Sequence, residues 1–278
     1  MWPPSWNLRL GILGLAVVPL ALTLLAFIEL ALVPPERIIA GTPLSVTATV
    51  SAPPTPTADP GRLYVAALQA FDAGELESAE LLVQAALAQT PRQANWRNTL
   101  GLILARQGRQ TEAAEAFQAA LDDDPTLTEA QYNLGAAYDA MRDTTRALAA
   151  YQAAIRADPE FAPAYVGLGN VLQDQGELAQ ALAAYEKAVA LDPDLATARL
   201  NLGVAFANSG DWASAVKHLE RAVVLRPDHA ASRYSLGVAY LGLGQTEPAV
   251  RELQVVLTLD PTGTWGAQAT QQLARIAP

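Results

Sequence analysis

The 278-residue chain contains no cysteine, which excludes disulfides, thiolate nucleophiles, Cys-ligated zinc and a lipid-bearing cysteine. Histidine is nearly as scarce, with only His218 and His229. Positive charge is short too: 18 basic against 28 acidic side chains give a formal net charge of −10. Residues 1–58 carry Arg9 and Arg37 against Glu29 and Glu36, so the whole negative excess lies beyond them. A surface of that sign repels a phosphate backbone, whose binding runs on counterion release from Lys/Arg contacts. Nucleic acid is therefore not an expected partner.

What the chain does have begins with an uncharged run of nineteen residues, Leu10 to Ile28. At the rise of an α-helix this run spans roughly 28 Å, enough for a hydrocarbon core. Residues 10–33 thus read as a transmembrane helix or signal anchor after a short flank, 1–9. Trp2 and Trp6 suit the interfacial belt, and Pro19 would kink the helix. A cleaved signal peptide with secretion is the alternative, but its apolar region is normally about 7–15 residues, and Ile38-Ile39-Ala40 is the only passable cleavage site. Arg9 and the amino terminus favour a cytoplasmic N-terminus, which places the remainder outside the cytoplasm. Residues 34–59, rich in Pro, Thr, Ser and Ala, form no core and read as an extended stalk.

From there a period dominates. Pro91, Pro125, Pro159, Pro193, Pro227 and Pro261 are 34 residues apart, without an insertion. A fixed period of this size means stacked supersecondary units. Placing each proline at the thirty-second position gives units 60–93, 94–127, 128–161, 162–195, 196–229 and 230–263. Gly101, Gly135, Gly169, Gly203 and Gly237 then share position 8, each after a leucine. Ala79, Ala113, Ala147, Ala181, Ala215 and Ala249 share position 20, followed at position 24 by Val83, Phe117, Tyr151, Tyr185, Leu219 and Leu253. Gly74, Gly108, Gly176, Gly210 and Gly244 share position 15, where Arg142 is the exception. Positions 7, 8 and 11 fall on one helix face, and so do 20, 24 and 27, so each unit is two antiparallel amphipathic helices. Small residues at 8, 20 and 27 let the axes approach, and Phe117, Tyr138, Tyr151, Tyr185, Phe206 and Tyr240 fill the spaces between.

These columns resemble the tetratricopeptide repeat family over about residues 60–263. The resemblance implies an all-α fold: an α-solenoid, a right-handed superhelix of six helix-turn-helix repeats. Residues 264–278 add a capping helix, with Trp265, Ala269, Leu273 and Ile276 at helical spacing. The first unit, with Ala66, Ala67 and Ala70 in place of Leu, Gly and a large residue, reads as the cap at the other end.

The resemblance also implies that first helices line a concave groove through unit positions 2, 5, 6, 9, 12 and 13. Here those include Tyr64, Asn98, Arg106, Tyr132, Asn133, Asp139, Asn170, Asp174, Asn201, Asn208 and Tyr234. Asn both donates and accepts, so it can bind backbone amides without reading sequence, and Tyr adds contact area at low entropy cost. The Lys/Arg clamp of the family's chaperone-binding members is matched only by Asn170 and Asn201, which speaks against an acidic chaperone tail as ligand.

Chemistry is harder to find. The two histidines lack metal-ligand spacing, and Asp122, Asp123 and Asp124 before Pro125 lack the alternating acids, glycine and distal Glu of a calcium loop. Gly242 and Gly244 lack the third glycine and preceding strand of a dinucleotide fingerprint. No nucleophile, base and orienter assemble, so no catalytic residue, metal or cofactor is expected. Two lysines against sixteen arginines and abundant alanine suggest a high-GC bacterial source. The expected function is a membrane-anchored scaffold of the bacterial envelope that binds a partner polypeptide in its groove. The alternative is the non-catalytic recruiting arm of an envelope enzyme or glycosyltransferase system.

Overall fold

The computed structural model describes residues 59–276. The expected anchor at 10–33 and nearly all of the stalk at 34–59 lie outside the described residues. Among the described residues, no helix is long and apolar enough to cross a membrane.

Thirteen helices follow one another among the described residues, with no strand. They are α1 Pro60–Asp72, α2 Leu76–Gln89, α3 Ala94–Arg106, α4 Gln110–Asp123, α5 Thr128–Ala140, α6 Thr144–Ala157, α7 Ala162–Asp174, α8 Leu178–Leu191, α9 Ala196–Asn208, α10 Trp212–Leu225, α11 Ala230–Gly242, α12 Thr246–Leu259 and α13 Thr264–Ile276. The odd-numbered helices are the first helices of successive units, and α13 is a seventh in the same phase. Each helix packs on its sequence neighbours, which makes a helical repeat solenoid stabilised by nearest-neighbour burial.

The seam inside each unit follows from volume. A Cβ added at Gly101 would lie 2.5 Å from the Phe117 ring, at Gly135 2.8 Å from Tyr151, at Gly169 2.5 Å from Tyr185, and at Gly203 2.6 Å from Leu219. The position-24 side chains are fully buried, so the missing Cβ is the space their bulk occupies. In the first unit both partners change together: Ala67 replaces the glycine, and the smaller Val83 faces it in one buried cluster. Gly167 adds a second gap on the opposite side of Tyr151, where a Cβ would come within 2.3 Å of the ring.

The turn between paired helices is left-handed at position 15 throughout. Gly74, Gly108, Gly176, Gly210 and Gly244 have φ between 72° and 84°, and Arg142 is held at 61° in the same place. For a side chain with a Cβ that conformation carries a local penalty. Just after the turns, Asp143 and Asp211 accept the backbone N–H groups of Arg146 at 3.0 Å and Ser214 at 3.1 Å, capping α6 and α10. Both carboxyls lie below their ordinary range: for Asp143 the backbone N–H of Arg146 is the main cause, followed by its side chain, and for Asp211 the Ser214 hydroxyl leads, followed by the Ser214 backbone N–H. Glu75 and Glu177 occupy the same position without a side-chain cap bond.

Candidate functional site

From α3 onward each first helix touches the first helix of the next unit, while no pair of successive second helices packs to the same extent. The layer whose members crowd together lies on the inner radius of a curved array, so the odd-numbered helices form the inner face.

Two features fix how these helices meet. At position 4 of units two to six stand Arg97, Gln131, Tyr165, Arg199 and Arg233. Each donates a side-chain hydrogen bond to the proline carbonyl six residues back, at 3.1, 2.8, 3.1, 2.9 and 2.6 Å. The carbonyl at the end of each linking turn is thereby satisfied by the unit it introduces. Before α13 the device changes: Ala267 offers no donor, and Asp260 instead accepts the N–H of Trp265 at 2.9 Å.

The second feature is a polar seam between neighbouring first helices. Tyr64 and Thr99 share a hydroxyl hydrogen bond of 2.8 Å, and Asn133 donates to Asn98 Oδ1 at 3.1 Å. Further along, Asn170 Oδ1 accepts from both Asn201, at 2.7 Å, and the Tyr185 hydroxyl, at 2.8 Å. Desolvation raises the Tyr64 phenol above its ordinary range, against the lowering effect of the Thr99 bond.

The eleven residues expected to line the groove divide by exposure. Arg106 and Asp174 are exposed, and Tyr64, Asn201 and Asn208 are half-buried. Asn98, Tyr132, Asn133, Asp139, Asn170 and Tyr234 are buried. Arg106 lies over the Phe71 ring at 4.1 Å, and Asp174 meets Arg142 of the preceding unit at 3.4 Å. Tyr64 stacks on Trp96 with centroids 5.0 Å apart, and Tyr234 leans on Trp265 at 5.4 Å. Asn133 Oδ1 and Asn208 Nδ2 are buried without a hydrogen-bond partner among the described residues. The position-4 donors went unforeseen, because Arg, Gln and Tyr share no chemistry in sequence beyond a long side chain ending in a donor.

The acidic run is built into the turn. Asp122 accepts from Gln118 at 3.2 Å, Asp123 pairs with Arg97 at 2.8 Å, and Asp124 accepts both the N–H and the hydroxyl of Thr126. His218 stacks on Phe206 and stands 3.3 Å from Arg199, and desolvation followed by the Arg199 and Lys217 charges lowers its pKa. His229 Nδ1 lies 2.8 Å from the Ser232 hydroxyl. Among the described residues no group of His, Cys, Asp or Glu is placed to hold a metal.

Family profiles described as tetratricopeptide repeat match residues 64–127, 128–161 and 200–264, and one described as TPR repeat matches 169–210. The chain belongs to the tetratricopeptide repeat family. No curated protein matches its sequence. Among solved structures it is similar to the APC/C hetero-tetramer Cut9-Hcn1, with TM-score 0.71 and 14% identity, covering 77% of this chain but only 42% of that one. It is similar to pilF of Pseudomonas aeruginosa, with TM-score 0.67 and 17% identity over 77% of this chain and 97% of that one. YrrB, described as a TPR protein with an unusual peptide-binding site, aligns at TM-score 0.50 and 23% identity, covering 68% and 97% of the two chains. At these identities the likeness is one of fold. Tetratricopeptide proteins mediate protein–protein interaction, and that general role accompanies the family.

Proposed function

We propose that this protein is a non-catalytic scaffold, tethered through residues 10–33, that takes a partner polypeptide along its first-helix face outside the cytoplasm. The observation that carries the reading is the continuous layer of odd-numbered helices, each laid against the next on the inner radius. Along that layer Tyr64, Arg106, Asp174, Asn201 and Asn208 reach solvent, and the buried asparagines set the helix spacing beneath them. The peptide-binding site named for YrrB supports the same kind of ligand.

The test is site-specific photo-crosslinking in cells that express the full chain. A crosslinker at Arg106 or Asn208 should capture a discrete polypeptide, and one at the exposed second-helix residue Arg156 should not. Equal adducts from both faces would defeat the groove assignment. Protease treatment of intact cells checks the tether and its orientation, because the repeats should be digested without lysis.

A further inference from the structure

A second cleft lies away from the inner face, between the second helices α4 and α6, with the end of α5 contributing Tyr138 and Met141. Its volume is about 430 Å³. Ala114, Ala119, Tyr138 and Met141 give it apolar walls, and Glu115, Asp122 and Arg146 supply the charges. Arg146 is already committed: it pairs with Asp143 at 2.5 Å, and its guanidinium lies 4.3 Å from the Tyr138 ring centroid. Glu115 and Asp122 form no ion pair with any described basic residue, so the cleft presents two uncompensated negative charges.

We propose that this cleft binds an extended segment of a partner protein carrying two basic side chains three residues apart. The spacing follows from helix geometry. Glu115 and Asp122 are seven residues apart on one face of α4, a rise of about 10.5 Å. In the polyproline II form of extended chain three residues make one turn of about 9.3 Å, so side chains at i and i+3 share a face and reach both carboxylates. Arg serves better than Lys, since its planar fork pairs bidentately with a carboxylate. Apolar residues between the two basic ones lie against Met141 and Tyr138, where the guanidinium of Arg146 already shows that this ring accepts a cation over its face. An anionic ligand fits poorly, because the one basic side chain of the cleft is held by Asp143. This site is independent of the inner groove, so a protein that uses both holds two segments at once.

The experiment uses the full chain in detergent and a fluorescein-labelled peptide, Gly-Ser-Arg-Ala-Leu-Arg-Ser-Gly, followed by fluorescence anisotropy. The peptide should bind, more weakly at high salt. Glu115→Gln and Asp122→Asn should each weaken binding about fivefold. Ala119→Trp, which fills the cleft without changing charge, should weaken it at least as much. A peptide with adjacent arginines should bind several-fold less well. Glu186→Gln, which removes an exposed acid from α8, is the control and should leave binding unchanged. Helical circular dichroism confirms that each variant folds. The proposal is overturned if the peptide does not bind, if the two cleft variants leave affinity unchanged, or if Glu186→Gln matches their loss.

Discussion

The first helix of the first unit and the first helices of the inner units share a fold but not a surface. At position 3, Arg62 is exposed, where Ala130, Ala164, Ala198 and Ser232 are buried in later units. At position 10, Gln69 is half-buried, where Ile103, Ala137, Val171, Ala205 and Ala239 are covered by the preceding unit. These two columns are the upstream face of the first helices, packed on the preceding unit's second helix, and among the described residues no repeat precedes α1. Polar side chains there end the stack without any change of backbone. The opposite end reaches the same result on different positions, with Thr270 and Gln271 in α13 where inner first helices carry Leu and Gly. A repeat array is therefore terminated by composition at its interface columns, and the fold of the end unit stays that of the others.

Exchanging the two surfaces is the strongest way to break this comparison. Ala205→Arg puts a charge into a fully buried column and should cost about 3–5 kcal/mol, read as a lowered midpoint in urea unfolding. The reverse change, Arg62→Ala with Gln69→Val, should leave stability within about 0.5 kcal/mol. It would extend the apolar surface around Val65, already 51% exposed, so sedimentation should show new self-association. A tolerated Ala205→Arg, or a double variant that stays monomeric like its parent, would mean that these columns do not define the ends.

The seam inside the unit offers a second contrast, Ala67 with Val83 against Gly101 with Phe117. Gly101→Ala gains helix propensity but drives a Cβ into a buried ring that has no room to move, a net loss of about 1–3 kcal/mol. Phe117→Val leaves a cavity and should cost about 2–4 kcal/mol. The double variant recreates the first unit's pair, so its loss should fall short of the summed single losses by at least about 1 kcal/mol. Strict additivity in urea titrations would show that the covariation of these two columns is accidental.

The fold was legible because its determinants repeat as identities. Proline at position 32, glycine at 8 and 15 and alanine at 20 each do one local job, so a single chain displays them as aligned columns. The position-4 column repeats a function without an identity, since guanidinium, amide and phenol all reach the same carbonyl, and aligned letters do not reveal it. The asparagines illustrate a different limit. Their types suggested peptide binding, yet Asn133 reaches Asn98 from 35 residues away, a pairing set by how two units stack. The outer cleft was hidden for the same reason, being assembled from three helices of two units.

That position-4 column yields a smaller effect. Gln131→Leu removes the donor from the Pro125 carbonyl and should cost about 1 kcal/mol, since the freed carbonyl is partly rehydrated. Ala267→Leu at the last junction, where Asp260 does the capping and no position-4 donor exists, should change stability by less than about 0.5 kcal/mol. Similar losses from both would remove the distinction between the inner junctions and the final one.

The smallest expected effect has the opposite sign. Arg142 alone holds a left-handed turn that glycine holds in the other five units. Relieving that conformation is worth about 1–2 kcal/mol. Glycine returns roughly 0.5–1 kcal/mol of this by enlarging the freedom of the unfolded chain. The ion pair with Asp174 is long at 3.4 Å, and Arg142 is 60% exposed within it, so its loss weighs little. Arg142→Gly should thus stabilise the array by about 0.5 kcal/mol, a rise in Tm of about 1–2 °C for a domain of this size. If the variant melts lower instead, the Arg142–Asp174 contact between the third and fourth units holds that junction more firmly than exposed ion pairs ordinarily do. In that case Asp174→Asn should lower Tm in the wild-type background and leave the Arg142→Gly variant unchanged.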